Sequence, residues 1–229
     1  MSNQNLLTAK NKKNDEFYTR LEDIQKELDN YKDYFKDKII YCNCDGIYFS
    51  NFYKYFKDNF NKLGIKKIIA TNLSLDNTAY KTEFDNNRKE IRTELRGNGD
   101  FRSEECVKLL QESDIIITNP PFSLFREYIA QLIKYNKDFL IIGNMNAATY
   151  KEIFPLFKNN QVWFGYNSPK IFITPDRTEK KFDNILWYTN LESGKRHCRI
   201  SLKEKYYGNE GKYPKYDNYD AIEVSKVIN

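Results

Sequence analysis

The sequence predicts an α/β fold with a mostly parallel, twisted sheet, helices on both faces and an antiparallel C-terminal edge. Over the first 160 residues, short apolar runs rich in β-branched residues alternate with stretches whose apolar residues recur at helical spacing. Beyond residue 161, short apolar runs follow one another with turn-forming residues between them, a pattern typical of antiparallel strands. A chain of 229 residues is long enough for one such domain with a sizeable core. We therefore predict a single domain over residues 1–229.

The first half of the chain predicts two helices and two strands in alternation. Residues 21–35 and 49–63 carry apolar side chains at helical spacing, and the second segment ends at Gly64, a residue type favoured just beyond a helix. Residues 38–42 and 67–71 are apolar runs that predict strands. Strands and helices that alternate in this way favour a parallel sheet built by right-handed crossovers.

The second half begins with the ambiguous segment 94–101, in which Gly97 and Gly99 indicate a turn. Ser103 is a good cap for a helix that runs to about Glu112, because serine accepts from the first main-chain amides of a helix. The remaining predicted elements are a strand over 114–118, a helix over 125–134, and strands over 139–142, 162–164, 170–174, 185–189 and 197–202, with a hairpin turn at 192–195.

The segment Asn119-Pro120-Pro121-Phe122 is the most informative in the chain because it directly follows the predicted buried strand 114–118. In open α/β sheets, ligands bind just beyond the carboxyl ends of the strands. The Asn119 side-chain oxygen and the Pro120 carbonyl are suited to accept the two hydrogens of an exocyclic amine such as N6 of adenine. Such acceptors make the amine more nucleophilic, and Phe122 offers a flat face for a base. A plain turn is the alternative, but the preceding strand and the aromatic residue favour catalysis.

The net charge of +5 is concentrated in the C-terminal part of the chain. Residues 170–215 contain 11 Lys or Arg and 6 Asp or Glu, a difference that equals the excess of the whole chain. Aromatic residues are interleaved there: Phe172, Phe182, Trp187, Tyr188, Tyr206, Tyr207 and Tyr213. A basic surface rich in aromatic side chains suits a polyanion with stackable bases. A solvated surface around an ordinary sheet core is the alternative.

Several function classes are disfavoured by composition. Four scattered cysteines, at positions 42, 44, 106 and 198, form neither a disulfide framework nor the close pairs of a metal site. No apolar run approaches the length of a membrane span, and the first 14 residues are polar. A nicotinamide-dependent enzyme is disfavoured because no Gly-x-Gly-x-x-Gly follows the first strand. We expect a cytoplasmic protein without a metal or a membrane partner.

Several segments, in order along nearly the whole chain, resemble the EcoRI-type adenine-specific DNA methyltransferases. The matching segments are 13–20 (KNDEFYTR), 41–45 (YCNCD), 50–56 (SNFYKYF), 91–103 (IRTELRGNGDFRS), 118–129 (TNPPFSLFREYI), 141–155 and 213–224 (YPKYDNYDAIEV). The resemblance implies a Rossmann-like class I methyltransferase fold. It also implies transfer of a methyl group from S-adenosylmethionine to N6 of an adenine flipped out of double-stranded DNA. The motif Asn119, Pro120, Pro121 and Phe122 would be catalytic.

The resemblance also implies a cofactor site on several loops. Its predicted residues are Phe17, Tyr18, Thr19, Cys42, Asn43, Cys44, Asp45, Asn72, Asp100, Phe101 and Asn119. Residues 17–19 would close over the methionine end of the cofactor. The turn 42–45 would approach the same end, although only Gly46 remains of the glycine-rich pattern usual there. Asp100 would accept from the cofactor's adenine amino group, and Asn72 or Asp76 would reach the ribose.

The remaining expectations concern DNA and organisation. Phe101 would pack on the cofactor's adenine ring. Trp163 or Phe164 would form the other wall of a base slot, and core packing is favoured for at least one of them. Lys195, Arg196 and Arg199 are the predicted DNA contacts.

Residues 1–36 would contribute to the cofactor site, 37–160 would form the catalytic core, and 161–229 would face DNA in a C-terminal part shorter than is usual for the family. Double-stranded DNA and a cognate restriction endonuclease are the expected partners. Methylation of RNA adenine or protein glutamine, and a catalytically silent nucleic-acid-binding relative, are the alternatives.

Overall fold

The computed structural model describes residues 17–44, 50–74, 79–174, 176–197, 208, 210–218 and 221–223. Its contacts divide the chain into two units, 1–196 and 197–229. In the second unit, a single helical turn covers Glu210–Lys212, and Lys215 forms an isolated antiparallel bridge with Ile222. The fold described below is that of the first unit, which carries the candidate site.

Strands and helices alternate along the first unit. The strands are β1 Tyr18–Thr19, β2 Ile39–Cys42, β3 Lys67–Thr71, β4 Tyr80–Asp85, β5 Glu90–Glu94, β6 Ile115–Thr118, β7 Asp138–Asn144, β8 Trp163–Phe164, β9 Ile171–Ile173, β10 Glu179–Lys181 and β11 Ile185–Thr189. The α-helices are α1 Leu21–Leu28, α2 Asn51–Asp58, α3 Phe60–Leu63, α4 Glu104–Glu112, α5 Phe125–Lys134 and α6 Phe154–Lys158. Short 3-10 turns cover Asp29–Tyr34, Phe122–Leu124, Met145–Thr149 and Gly194–His197.

The main sheet has eight strands in the order β5-β4-β3-β2-β6-β7-β11-β8. Its four central strands, β3, β2, β6 and β7, are parallel, and an antiparallel pair flanks them on each side. The central strands are short β-branched runs that lie buried, as expected for strands covered on both faces. The predicted α/β fold, with parallel central strands and an antiparallel C-terminal edge, is confirmed.

Alternating side chains of the central strands supply two separate cores, because successive residues of a strand point to opposite faces. One core includes Ile40, Ile68, Ile115, Ile142 and Trp187 and is covered by α1, α2 and α3. The other includes Tyr41, Ile69, Ile116, Ile141 and Tyr188 and is covered by α4 and α5. Helices therefore lie on both faces of the sheet.

A second, three-stranded sheet has the order β1-β9-β10. Tyr18 pairs with Ile173 and Thr19 with Phe172, both antiparallel. This sheet brings the N-terminal strand, predicted only as part of a cofactor segment, against the basic C-terminal part of the unit.

Some predicted boundaries were wrong for local reasons. The helix predicted over 21–35 is α-helical only to Leu28 and continues as a 3-10 helix. The helix predicted within 49–63 breaks at Asn59, whose side chain donates to the Tyr55 carbonyl at 2.9 Å. The hairpin turn predicted over 192–195 is wrong at its end, because Gly194 and Lys195 belong to a 3-10 helix over Gly194–His197. Apart from His197, the strand predicted over 197–202 lies outside the described residues.

The hairpin of β4 and β5 was not predicted. Every residue of β5 is exposed, so this strand carries no burial pattern for a sequence reading to detect. The one local signal is the turn after Asp85, whose carboxylate accepts from the Asn87 main-chain amide at 2.9 Å. None of the helices in the described ranges has both the length and the apolar character that a membrane span requires.

Candidate active site

The carboxyl ends of β2 and β6 lie side by side at the point where the sheet order reverses. From β2 the chain proceeds to β3 on one side, and it later returns to form β6 on the other side. Such a reversal opens a crevice beyond the two strand ends, where open α/β proteins bind ligands. The segments that leave these ends are Asn43-Cys44 and Asn119-Pro120, so two of the predicted site segments meet here.

The Asn119 side chain is held by one of its two polar atoms only. Its Nδ2 donates to the Phe17 main-chain oxygen at 2.6 Å. Because a carbonyl oxygen only accepts, this contact requires the amide nitrogen to face Phe17 and the amide oxygen to face away from it. Asn119 Oδ1 is buried and has no hydrogen-bond partner among the described residues. A buried acceptor without a partner is costly, so this oxygen is ready for an external donor.

The rest of the motif forms a rigid corner. Pro120 is buried, and Pro121 and Phe122 are half-buried. The Pro121 carbonyl accepts from the Leu124 amide at 3.0 Å, which closes the single 3-10 turn before α5. The proline rings restrict the backbone before this turn. Phe122, three residues after Asn119, is therefore held in a fixed position.

An aromatic cluster with one ammonium group lies beside this corner. The Phe17 ring has its centroid 6.2 Å from that of Phe122 and 4.9 Å from that of Phe182, which it meets edge-on. The Lys180 ammonium lies over the rings of Phe17 and Phe182, at 5.0 and 5.2 Å from their centroids. These four residues, Phe17, Phe122, Lys180 and Phe182, are called the Phe17 cluster below. Sequence reading placed Phe17 and Phe122 in the site but missed Lys180 and Phe182 as their neighbours.

The turn after β2 adopts a glycine-like conformation without glycine. Cys44 has φ +65°, in the left-handed region that residues with a Cβ rarely adopt. Asn43, 2% exposed, stabilises the turn because its side-chain oxygen accepts from the Tyr128 hydroxyl and its main-chain oxygen accepts from Thr118 Oγ1. Cys42 is fully buried in the core, and Asp45 lies outside the described residues.

The predicted ribose residue Asn72 caps a strand. Its side-chain oxygen accepts from the Tyr80 main-chain amide at 2.8 Å, at the start of β4. Gly99, with φ +77°, lies so close to this segment that a Cβ would be 2.0 Å from the Asn72 main-chain oxygen. The structure therefore brings Asn72 and the segment around Gly99 together. Asp76, the alternative ribose residue, lies outside the described residues.

Asp100 carries a partner that the sequence reading missed. Arg102 donates to both Asp100 oxygens, through Nε at 2.9 Å and a terminal nitrogen at 2.7 Å, and also contacts Glu127 at 3.0 Å. The hydrogen bond to Asp100 is the main cause that raises the pKa of Arg102. Phe101 is buried, with its ring edge-on to Tyr128 at 5.0 Å. An amino group of a ligand that donates a hydrogen bond to Asp100 would share the carboxylate with Arg102. The cofactor roles of Asp100 and Phe101 stay predictions.

The predicted DNA contacts Lys195 and Arg196 lie away from this crevice. The Lys195 ammonium donates to the Gly165 and Tyr166 carbonyls at 3.3 and 3.2 Å, and Arg196 stacks on Trp163 at 4.1 Å. Trp163 belongs to the edge strand β8, which β7 and β11 separate from β6. The structure does not bring these two basic residues to Asn119. Arg199 lies outside the described residues.

The predicted aromatic wall also lies on the edge strand. The Trp163 indole nitrogen donates to the Leu191 carbonyl at 2.9 Å. The Phe164 ring packs against those of Phe157 and Tyr188, at centroid distances of 4.8 and 5.1 Å. Both residues pack on the protein itself, and the ring found near Phe122 is that of Phe17, which in turn meets Phe182. In the part of the chain that the structure describes, no group of three or more His, Cys, Asp or Glu is arranged to hold a metal ion.

Comparisons with known proteins agree with this arrangement. Residues 5–229 match the family model described as "Adenine-specific methyltransferase EcoRI". The chain is 46% identical to the Type II methyltransferase M.EcoRI of Escherichia coli, over 99% of this chain and 80% of that protein. It is 41% identical to the Type II methyltransferase M.MpnI of Mycoplasma pneumoniae, over 96% of this chain and 74% of that protein. No solved structure matches.

The family model covers nearly the whole chain, including both strand ends that form the crevice and the corner from Asn119 to Phe122. The resemblance stated from the sequence is therefore confirmed. The chain belongs to the EcoRI family of adenine-specific methyltransferases.

Proposed function

We propose that this enzyme transfers a methyl group from S-adenosylmethionine to N6 of an adenine in double-stranded DNA. The single observation that carries the proposal is the Asn119 amide. Its nitrogen donates a hydrogen bond to the Phe17 main-chain carbonyl, and its buried oxygen is left as an acceptor at the carboxyl end of β6. Adenine N6 carries two hydrogens and matches such an acceptor.

The crevice has features that fit a methyl donor. Thr19 Oγ1, like Asn119 Oδ1, is buried without a hydrogen-bond partner among the described residues. Buried polar atoms are normally satisfied, and Thr19 lies two residues from Phe17, whose carbonyl contacts Asn119, so these two unpartnered oxygens favour a polar ligand in this region. Thr19 and the turn from Cys42 to Cys44 would hold the methionine end of S-adenosylmethionine, with Asn72 and Asp100 toward its nucleoside end. When bound, S-adenosylmethionine would supply an electrophilic methyl carbon on a positively charged sulfur, which an amine lone pair can attack while the carbon–sulfur bond breaks and neutral S-adenosylhomocysteine leaves.

The residues of the corner would activate the amine. The lone pair of N6 is shared with the adenine ring and is a poor nucleophile. Acceptance of its two hydrogens by Asn119 Oδ1 and the Pro120 carbonyl would draw the nitrogen toward tetrahedral geometry and concentrate its lone pair. The rigid turn after Pro121 would keep the amine at a near-attack distance of about 3–3.5 Å. The methylated nitrogen then loses one proton to water, so no general base is required.

The Phe17 cluster would contact the DNA. An adenine inside a duplex must leave the base stack before N6 can reach a buried acceptor. Phe122 supplies a stacking face for that base, and base–aromatic stacking is worth about 1–3 kcal/mol. Lys180 lies on the fully exposed strand β10 and supplies a cation for a nearby phosphate. Lys195 and Arg196 would make a more distant contact, and a restriction endonuclease of the same specificity would be the cellular partner.

A methyl-transfer assay tests the reaction. Labelled S-adenosylmethionine is incubated with the protein and mixed-sequence double-stranded DNA, and with RNA and protein pools in parallel. The expected result is label in DNA only, recovered as N6-methyladenine after digestion to nucleosides. Label in RNA or protein, or none from folded protein, would contradict the proposal. Sequencing the methylated bases then identifies the recognised sequence.

Two variants test the DNA surface. Lys180→Ala removes the ammonium beside the corner, and the double variant Lys195→Ala/Arg196→Ala removes two charges of the 3-10 helix that contacts the edge strand β8. We expect Lys180→Ala to weaken DNA binding by about tenfold and to reduce the salt slope by about 1. Fluorescence anisotropy over a range of salt concentrations measures both. A larger effect of the double variant than of Lys180→Ala would move the main DNA surface to the edge strand.

A further inference from the structure

Two asparagine side chains hold the outer edge of β1. One edge of this strand pairs with β9. On the other side, the Phe17 carbonyl accepts from Asn119 Nδ2 at 2.6 Å, and the Thr19 carbonyl accepts from Asn51 Nδ2 at 2.7 Å. Alternate residues of an extended segment present their carbonyls to the same side. The two amides therefore act on one edge, two residues apart.

Asn51 is presented by a rigid element. It is the first residue of α2, directly after the cap Ser50, whose hydroxyl accepts from the Tyr53 amide at 3.1 Å. The next residue, Phe52, is buried and packs edge-on against Trp187, with centroids 5.9 Å apart. Capping and burial hold the start of α2 in place. The Asn51 amide is thus a fixed point to which β1 is attached.

Strand β1 needs such an attachment. It consists of two residues, and its pairing with β9 covers only Tyr18 and Thr19. So short a strand is marginal by itself. Yet the carbonyl at its start, that of Phe17, decides which way the Asn119 amide faces. If β1 moved, this constraint on the direction of the catalytic acceptor would be lost.

We propose that Asn51 is a positioning residue for the methyl-transfer reaction. By bonding the Thr19 carbonyl, it holds β1 where the Phe17 carbonyl orients the Asn119 amide, so that Oδ1 faces the target amine. The same attachment keeps Thr19 Oγ1 at the predicted donor site. This inference rests on the proposed function and adds a residue to it that neither the motif nor the cofactor prediction contained.

The substitution Asn51→Asp tests the role with little change in shape. It replaces the donating nitrogen by a second acceptor oxygen opposite the Thr19 carbonyl, so that the attraction becomes repulsion. An aspartate in the first turn of a helix is favourable, so α2 itself is not weakened. The matched control is Asn190→Asp. Asn190 Nδ2 donates to the Lys137 carbonyl at 2.9 Å, at the amino end of β7 and thus at the end of the parallel strands opposite Asn119.

Two measurements are made on wild type and both variants. Single-turnover transfer at saturating donor and DNA, at a temperature at which all three proteins are folded, should be at least about tenfold slower for Asn51→Asp, whereas Asn190→Asp should stay within about twofold of wild type. Amide hydrogen exchange, followed by mass spectrometry on the peptide that contains Tyr18 and Thr19, should be faster in Asn51→Asp only. A merely structural role for Asn51 would lower the melting temperature and leave the saturated rate unchanged.

The outcomes separate this inference from the proposed function. Wild-type protein that transfers no methyl group to DNA would overturn the proposed function. Exchange in the Tyr18–Thr19 peptide that is the same in wild type and Asn51→Asp would overturn the attachment of β1, whatever the activity. A folded Asn51→Asp protein with a wild-type rate, or an equal loss in Asn190→Asp, would overturn the positioning role.

Discussion

Replacing Asn119 by alanine should reduce catalysis more than cofactor binding, because the amide oxygen is the proposed acceptor for the target amine and the amide nitrogen contacts the Phe17 carbonyl. The substitution removes Oδ1, one of two acceptors for the target amine. Loss of one preorganised polar group that stabilises charge in a transition state typically costs about 10²–10³ in rate. It also removes Nδ2 from the Phe17 carbonyl, a contact of 2.6 Å. A part-buried carbonyl left without a donor costs about 1–3 kcal/mol of folding stability.

The assay compares the saturated single-turnover rate with the dissociation constant for S-adenosylmethionine measured by calorimetry. We expect the rate to fall by at least about 10², and the donor affinity to stay within about tenfold, equivalent to 1.4 kcal/mol. The control is Asn190→Ala, which removes an amide at the opposite end of the parallel strands and should leave both quantities near wild type. Equal losses of rate and affinity in Asn119→Ala would mean that Asn119 holds the donor or the fold. An unchanged rate would refute the acceptor role altogether.

Two further predictions concern stability. Gly99→Ala should lower the free energy of unfolding, measured by urea unfolding, by about 1–3 kcal/mol for overpacking and about 1–2 kcal/mol for the left-handed φ. Gly97→Ala should be close to wild type, because among the described residues its Cβ would meet only the Glu105 carboxylate, at 4.0 Å. Stabilisation or no change at Gly99 would contradict the close approach. Burial raises the pKa of the Glu83 carboxyl, but hydrogen bonds from Lys67 and Lys81 lower it by more, to below its ordinary value of 4.5. The unfolded state then binds more protons in acid, so this group stabilises the fold above pH 4.5 and loses that effect as the pH falls below it. Glu83→Gln should therefore be less stable than wild type by at most about 1 kcal/mol near neutral pH, and a difference that persisted near pH 3 would contradict the ion pairs.

The sequence reading of the central sheet succeeded where burial leaves a simple pattern. The β-branched run before Asn119 predicted a buried strand, and β6 is that strand. The helix predicted over 125–134 and the strand predicted over 185–189 have the predicted bounds. Ser103 caps α4 by accepting from the Cys106 amide at 3.3 Å. Each of these depends on neighbours a few residues away, which a linear pattern contains.

Predictions from the sequence were wrong or missing where the partners of a residue come from distant parts of the chain. Exposed strand β5 carries no hydrophobic alternation, so its pairing with β4 left no local signal. Lys195 and Arg196 were predicted as DNA contacts from a count of charges along the chain. Such a count does not indicate whether a residue lies beside the edge strand or at the crevice. Lys180, two residues from Phe182 in the same basic stretch, is the cation that the fold brings to Phe17 and the corner.

By itself, then, the chain determined an α/β sheet, the corner from Asn119 to Phe122 at a strand end, and membership of a methyltransferase family. These follow from local propensity, burial periodicity and motif order, which are properties of neighbouring residues. Only the tertiary structure decided that the Phe17 carbonyl orients the Asn119 amide and that Asn51 secures the same strand. The physical reason is that both contacts join side-chain amides to main-chain oxygens 102 and 32 residues away. A main-chain oxygen is present at every position, so no residue type marks the one that will be used.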